Sequence, residues 1–190
     1  IAFDGDADRL GVIDEHGEII WGDHVLILYA RDVLERTGRG QPIIFDVKCS
    51  QALPHAISAA GGTPVMWKTG HSLIKDRMRE LDAPLAGEMS GHMFFAEGFY
   101  GHDDALYGAA RLLRIIADAG KGIGELLANV PKFVSTPELR VDCPDDRKFD
   151  VVAAAADHFR RTHEVIDVDG ARVLFGDGWG LVRASNTQPI

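Results

Sequence analysis

Cysteine is nearly missing: Cys49 and Cys143 are the two in 190 residues, far apart and without a metal-ligand partner nearby. A disulfide-rich scaffold is therefore excluded, and the usage suits a reducing cytoplasm. Long apolar runs are missing too; none reaches about 18 residues, so no membrane span is expected. Basic charge is scarce, with 20 Lys and Arg against 29 Asp and Glu and a net charge of -9. That balance speaks against a broad nucleic-acid face and leaves any anionic ligand to a local cluster. What is present is an ordinary globular mixture, 46% hydrophobic and 26% charged, which rules out a disordered or collagen-like polymer. A chain of this size buries roughly 70% of its unfolded surface and needs no covalent staple. The opening Ile1-Ala2-Phe3 reads as the tail of a strand and Pro189-Ile190 follows a dense polar run, so the sequence reads as a piece of a longer protein.

Strand and helix signals alternate along the first two thirds, the mark of an α/β architecture. Leu10 to Ile13, a turn at Glu15-His16-Gly17 and Glu18 to Trp21 read as a hairpin or as a strand crossing between domains. Asp23 reads as the N-cap of a helix over His24 to Arg36, which Gly38 stops. Short apolar runs at Ile43 to Val47, Thr63 to Trp67 and from Leu85 read as strands. Ser50 and Ser72 read as caps of the helices between them, and Asp103 or Asp104 as the cap of a helix reaching Asp118. A short helix is expected from Ile123 to Asn129. The repeat predicts one doubly wound domain with a mixed sheet. After Pro131 the pattern changes: Thr136 to Val141 reads as a strand, Arg147 to Arg161 as a helix, and the remainder as strands broken by glycines, a smaller α+β domain.

Chemistry gathers at the ends of the predicted strands, where open α/β sheets place ligands. Asp4-Gly5-Asp6-Ala7-Asp8-Arg9 sets three carboxylates at alternate positions, so their oxygens can converge on one hard cation, Mg²⁺ before others. A solvated acidic turn is the bland alternative, disfavoured by the mutual repulsion of the three charges. A helix-flanked calcium loop fails, because Arg9 stands where that loop needs Gly and a strand precedes it. In Asp46-Val47-Lys48-Cys49-Ser50, Lys48 can meet a phosphate or be a solvated surface group. Lys68-Thr69-Gly70-His71-Ser72 is a polar glycine loop entering a helix, an anion-site pattern. Gly87-Glu88-Met89-Ser90-Gly91-His92 mixes carboxylate, hydroxyl and imidazole in a way that suits sugar hydroxyls. Arg183-Ala184-Ser185-Asn186-Thr187 offers several donors to phosphate oxygens in a row. The histidines outside these loops read as surface or packing residues, and Trp21, Trp67 and Trp179 as core or domain-contact residues.

The order DGDADR, DVKCS, KTGHS, GEMSGH, RASNTQP resembles the α-D-phosphohexomutases over the whole length, most closely their bacterial phosphomannomutase/phosphoglucomutase branch. The resemblance implies that residues 1–18 are the tail of that family's second domain, 19–131 its third, sugar-binding domain, and 132–190 a truncated fourth domain of TATA-binding-protein-like fold. It further implies that Asp4, Asp6 and Asp8 hold Mg²⁺, which also touches a phosphoserine in an earlier domain. Glu88 and Ser90 would bind sugar hydroxyls, and Arg183, Ser185, Asn186 and Thr187 a substrate phosphate. The implied reaction shifts phosphate between the 1- and 6-positions of mannose or glucose phosphate through a hexose 1,6-bisphosphate. Arg9 and Lys48 would then neutralise the moving phosphoryl group, and His92, or second to it His71, would take the proton of the attacking hydroxyl. No Ser-His-Asn loop of the phosphoserine type occurs here, so this stretch by itself is expected to be inactive. Two rival readings stand beside this one. A phosphatase would use Asp4 as nucleophile and Asp6 as acid; a non-catalytic module would only bind phosphosugar or Mg²⁺.

Overall fold

β1 (Ala2–Phe3), β2 (Leu10–Ile13) and β3 (Ile19–Ile20) pair antiparallel in that order at the start of the computed structural model, forming the expected hairpin with one strand more. α1 (Gly22–Thr37) follows and is buried along most of its length by Val25, Leu26, Ile27, Tyr29 and Val33. Asp23 does not cap it. Trp21 takes the N-cap position, and Asp23, within the first turn, accepts the Ser50 N–H at 2.8 Å instead. At the other end Gly38, at φ 92°, turns the chain out of the helix and returns its N–H to the Leu34 carbonyl.

β4 (Pro42–Asp46), α2 (Ala52–Ala59), β5 (Thr63–Trp67), α3 (His71–Leu81), β6 (Leu85–Gly87), β7 (Met93–Phe95), α4 (Ala105–Ala119) and α5 (Ile123–Leu126) complete the first unit. The sheet order is β5-β4-β6-β7, parallel except for β7. Helices cover both faces, and the strand residues divide between two cores with period two. Ile43, Phe45, Leu85, Met93 and Phe95 join α1, α2 and α4, whereas Ile44, Ala86 and Phe94 join Ile74 and Met78 of α3. Each such buried aliphatic side chain contributes about 1.5 to 3 kcal/mol. Gln51 and Gly70 hold the N-cap positions expected for Ser50 and Ser72, so neither serine caps by its side chain. Among the described residues Asp104 alone is a side-chain helix cap, accepting the Tyr107 N–H at 2.8 Å. Trp21 is exposed and not a core residue.

The second unit, Val134–Ile190, holds α6 (Lys148–Phe159) against an antiparallel sheet of β8 (Glu164–Ile166), β9 (Ala171–Leu174) and β10 (Trp179–Val182), in the order β10-β9-β8. The strand expected over Thr136 to Val141 is not formed: the segment has no regular secondary structure, is exposed, and has no ladder partner among the described residues. The structure describes residues 1–186 and 188–190, and Thr187 falls outside them. No helix among them is long and apolar enough to cross a membrane.

Candidate functional site

The three parallel strands of the first unit end on the same side, and their following loops carry Lys48, then Thr69 to His71, then Glu88 to His92. The hairpin loop Asp4 to Arg9 is tied to the last of these by a bridge between Arg9 and His92 and by the Leu10 N–H on the Gly91 carbonyl at 3.0 Å. In this way the motifs DGDADR and GEMSGH, some 80 residues apart in sequence, become neighbours.

Asp4, Asp6 and Asp8 each offer a carboxylate oxygen within 4.8 Å of the others. Arg9 partly neutralises them, its Nε 2.5 Å from Asp4 and 3.5 Å from Asp8. Desolvation pushes the Asp4 carboxyl up, but the Arg9 N–H and guanidinium outweigh it and hold it below the usual range. Asp8 Oδ1 is shielded from water and makes no hydrogen bond among the described residues. An acceptor without a hydrogen bond, met only by the long ion pair to Arg9, in an all-oxygen donor set is what a hard divalent cation satisfies, so the loop fits Mg²⁺.

His92 links the two loops. Its Nε2 lies 3.3 Å from Asp8 Oδ2, and its Nδ1 lies 2.9 Å from Glu88 Oε2 and 2.8 Å from Ser90 Oγ. Burial disfavours the charged ring, but Glu88, with Asp8 and Asp103, outweighs burial and raises the His92 pKa. Glu88 is nearly inaccessible; desolvation pushes its carboxyl up, and His92 together with the Gly70 N–H at 2.6 Å outweighs that and lowers it. His71 is more open, its ring 6.4 Å from that of His92 and its Nδ1 3.9 Å from Asp103. Lys48 is half-buried on the loop after β4.

Asp103 is the residue that sequence reasoning misplaced. It does not cap α4; it pairs with Lys75 at 3.0 Å and comes within 4.8 Å of Asp8 and His92 in a second group of metal-capable side chains. Adjacent aspartates before a helix give no signal as to which one caps.

In the second unit Arg183 follows β10, half-buried, with Nη1 3.5 Å from Asp169. Ser185 Oγ accepts the Gln188 N–H at 3.1 Å, and Asn186 is exposed. Buried Lys148, which no motif flagged, donates to the Gln188 carbonyl at 2.9 Å and braces this turn from α6. Thr187 belongs to the same motif but lies outside the described residues.

Comparison with known proteins bears on these loops. The family model described as "Phosphoglucomutase/phosphomannomutase, alpha/beta/alpha domain III" matches residues 21–133, and the one described as the C-terminal domain of the same family matches residues 138–190. A phosphomannomutase/phosphoglucomutase of Pseudomonas aeruginosa is 49% identical over 191 residues, covering 100% of this chain. The chain spans 41% of that relative's length. A crystal structure of a phosphoglucomutase/phosphomannomutase family protein from Burkholderia thailandensis superposes with a TM-score of 0.88 at 50% identity, covering 99% of this chain and 40% of the other. An Aspergillus fumigatus N-acetylphosphoglucosamine mutase, described in complex with GlcNAc-6P and magnesium, shares the fold at a TM-score of 0.70 and 17% identity, over 99% of this chain and 43% of its own.

Proposed function

The chain belongs to the phosphoglucomutase/phosphomannomutase family, and from that membership we propose that it serves in a longer phosphohexomutase. The proposed reaction is reversible transfer of phosphate between the 1- and 6-positions of glucose or mannose phosphate, through an enzyme phosphoserine and a hexose 1,6-bisphosphate. Because the sequence has no Ser-His-Asn loop, turnover is assigned to the longer protein and ligand binding to this chain. The observation that carries the reading is the convergence of Asp8, His92, Glu88 and Ser90, which sets a cation loop beside a hydroxyl-reading loop.

Asp4, Asp6 and Asp8 would hold Mg²⁺, which when bound supplies positive charge to a phosphate. Arg9, on the same loop, adds a fixed cation, and Lys48 a second on the loop after β4. Glu88 and Ser90 would read sugar hydroxyls, Glu88 as a charged acceptor kept ionised by His92 and Gly70. If they read the 3- and 4-hydroxyls, the 2-position goes unread, and glucose and mannose are both accepted. His92 would take the proton of the attacking hydroxyl at Nε2, whose one contact, to Asp8 at 3.3 Å, is longer than the two that hold Nδ1, to Glu88 at 2.9 Å and Ser90 at 2.8 Å; His71, more exposed, is second to it. Arg183, Ser185 and Asn186, with Thr187, would bind a substrate phosphate. Asp4 as a phosphatase nucleophile is the weaker reading, because it leaves the Glu88–His92 loop and the Arg183–Thr187 motif without a role.

The test is phosphohexomutase turnover by the longer protein with glucose 1-phosphate and mannose 1-phosphate, with and without the domain bearing the serine. Turnover dependent on that domain supports the proposal; inactivity with both sugars despite Mg²⁺ and hexose 1,6-bisphosphate counts against it.

A further inference from the structure

Asp46 sits at the C-terminal end of β4 with 1% of its surface exposed, at the centre of the three loops that carry the candidate ligand residues. Its carboxylate reaches all three. Oδ1 accepts from the Cys49 thiol at 3.0 Å, in the loop holding Lys48, and from the Met89 N–H at 3.0 Å, between Glu88 and Ser90. Oδ2 accepts from the Thr69 hydroxyl at 3.1 Å, in the loop that leads to Gly70 and His71. Thr69 is followed by the Gly70 N–H that donates to Glu88 Oε1, so the second and third loops close a ring of bonds.

A buried carboxylate is costly unless its oxygens are filled, and a hydrophobic residue would serve β4 packing more simply. Asp46 lies next to Glu88, whose charge together with burial, the larger effect, raises the Asp46 pKa. That unfavourable placement is compensated only by what the three loops donate. We propose that Asp46 is a positioning residue for the family reaction, locking the Lys48, Thr69–His71 and Glu88–His92 loops in one mutual spacing so that phosphate and hydroxyl contacts are made together. The proposal rests on the phosphohexomutase reading for its kinetic consequence, not for its structural one.

Two measurements test it. Hydrogen exchange on the 190-residue chain compares wild type with Asp46→Ala, Asp46→Asn and Thr69→Val. Asp46→Ala should speed exchange in residues 68–71 and 87–92 together while α1 stays protected; Thr69→Val should speed 68–71 alone. In the longer enzyme, Asp46→Ala should raise KM for glucose 1-phosphate about tenfold or more, the loss of roughly one or two hydrogen bonds, with kcat less affected. A merely structural defect lowers the folded fraction instead, and so lowers apparent kcat at unchanged KM. Asn keeps an acceptor for Met89 and can donate to Thr69, so Asp46→Asn should stay within about threefold of wild type.

Unchanged KM and exchange in Asp46→Ala overturn the proposal, as does an Asp46→Asn as impaired as Asp46→Ala. Should Asp46→Ala not fold, wild-type exchange at 68–71 in Thr69→Val overturns it just as well. If the wild-type enzyme turns over neither sugar phosphate, the family reading fails while the exchange experiment still decides the role of Asp46.

Discussion

Gly22, at the start of α1, stands so close to Glu88 that a Cβ placed on it would lie 2.5 Å from the Glu88 carbonyl oxygen. The same Cβ would be 2.8 Å from the Met89 carbonyl oxygen and 2.9 Å from the Gly91 nitrogen, all backbone atoms that cannot rotate away. Gly22→Ala should therefore displace the Glu88–Gly91 loop, destabilise the first unit by about 1 to 3 kcal/mol and weaken sugar phosphates. Urea unfolding and KM for glucose 1-phosphate measure the two effects; wild-type values in both would mean the loop yields freely.

Asp8 contributes an oxygen to the acidic loop and another toward His92. Asp8→Asn in the longer enzyme should weaken Mg²⁺ binding by calorimetry at least about tenfold, roughly 1.4 kcal/mol. Chelation of divalent cations should abolish turnover, and excess Mg²⁺ should restore it. Turnover that survives complete chelation would remove the metal assignment.

Glu88 and Ser90 should separate by magnitude. A hydrogen bond to a charged group contributes about 1.5 to 3 kcal/mol and a neutral one about 1, so Glu88→Ala should raise KM for both hexose phosphates more than Ser90→Ala does. Equal and negligible effects would show that this loop does not touch the sugar.

Asp23 carries a pH dependence. Burial works against its carboxylate, but His24 and the Ser50 N–H outweigh burial and lower its pKa. A carboxyl depressed on folding stabilises above its unfolded value near about 3.9 and loses that contribution as pH falls through the folded one. Asp23→Asn should thus cost about 1 to 3 kcal/mol at pH near 7, and the gap to wild type should narrow below pH near 4. Urea midpoints at both pH values decide it; a gap that widens in acid reverses the sign and defeats the argument.

Arg183 is expected to clamp phosphate with a planar fork that an ammonium does not reproduce. Arg183→Lys should raise KM about tenfold or more for hexose phosphates and leave Mg²⁺ affinity unchanged. An unchanged KM would take the phosphate role away from this loop.

The hairpin, α1, the alternation of β4 to β6 with their helices, and the five motif loops were legible because each rests on local chemistry: apolar period, a stop glycine, polar runs after strands. β7 was not, because Met93, Phe94 and Phe95 are buried on both faces and show no alternation, and they directly follow a motif that reads as loop. The strand expected over Thr136 to Val141 has suitable residues, yet a strand exists only with a neighbour to bond, which local sequence does not report. Side-chain caps failed at Asp23, Ser50 and Ser72 for a related reason: Asp23, in the helix, accepts from a loop distant in sequence. Asp46 and Asp103 were invisible as site residues, since their meaning lies in three loops and in a cluster that meet only on folding.

The antiparallel pairing of β6 with β7 puts Gly87 opposite Met93 and Ala86 opposite Phe94. Phe94 fills one core, while Met93 and Phe95 fill the other. Sliding β7 by one place would exchange those side chains between the two interiors, so a residue inserted into or deleted from the five-residue loop 88–92 is opposed from shifting the register. The packing beneath thus guards the geometry of the 88–92 loop: its side chains can be exchanged without disturbing the two interiors, while any change in its residue count must be absorbed within the loop itself.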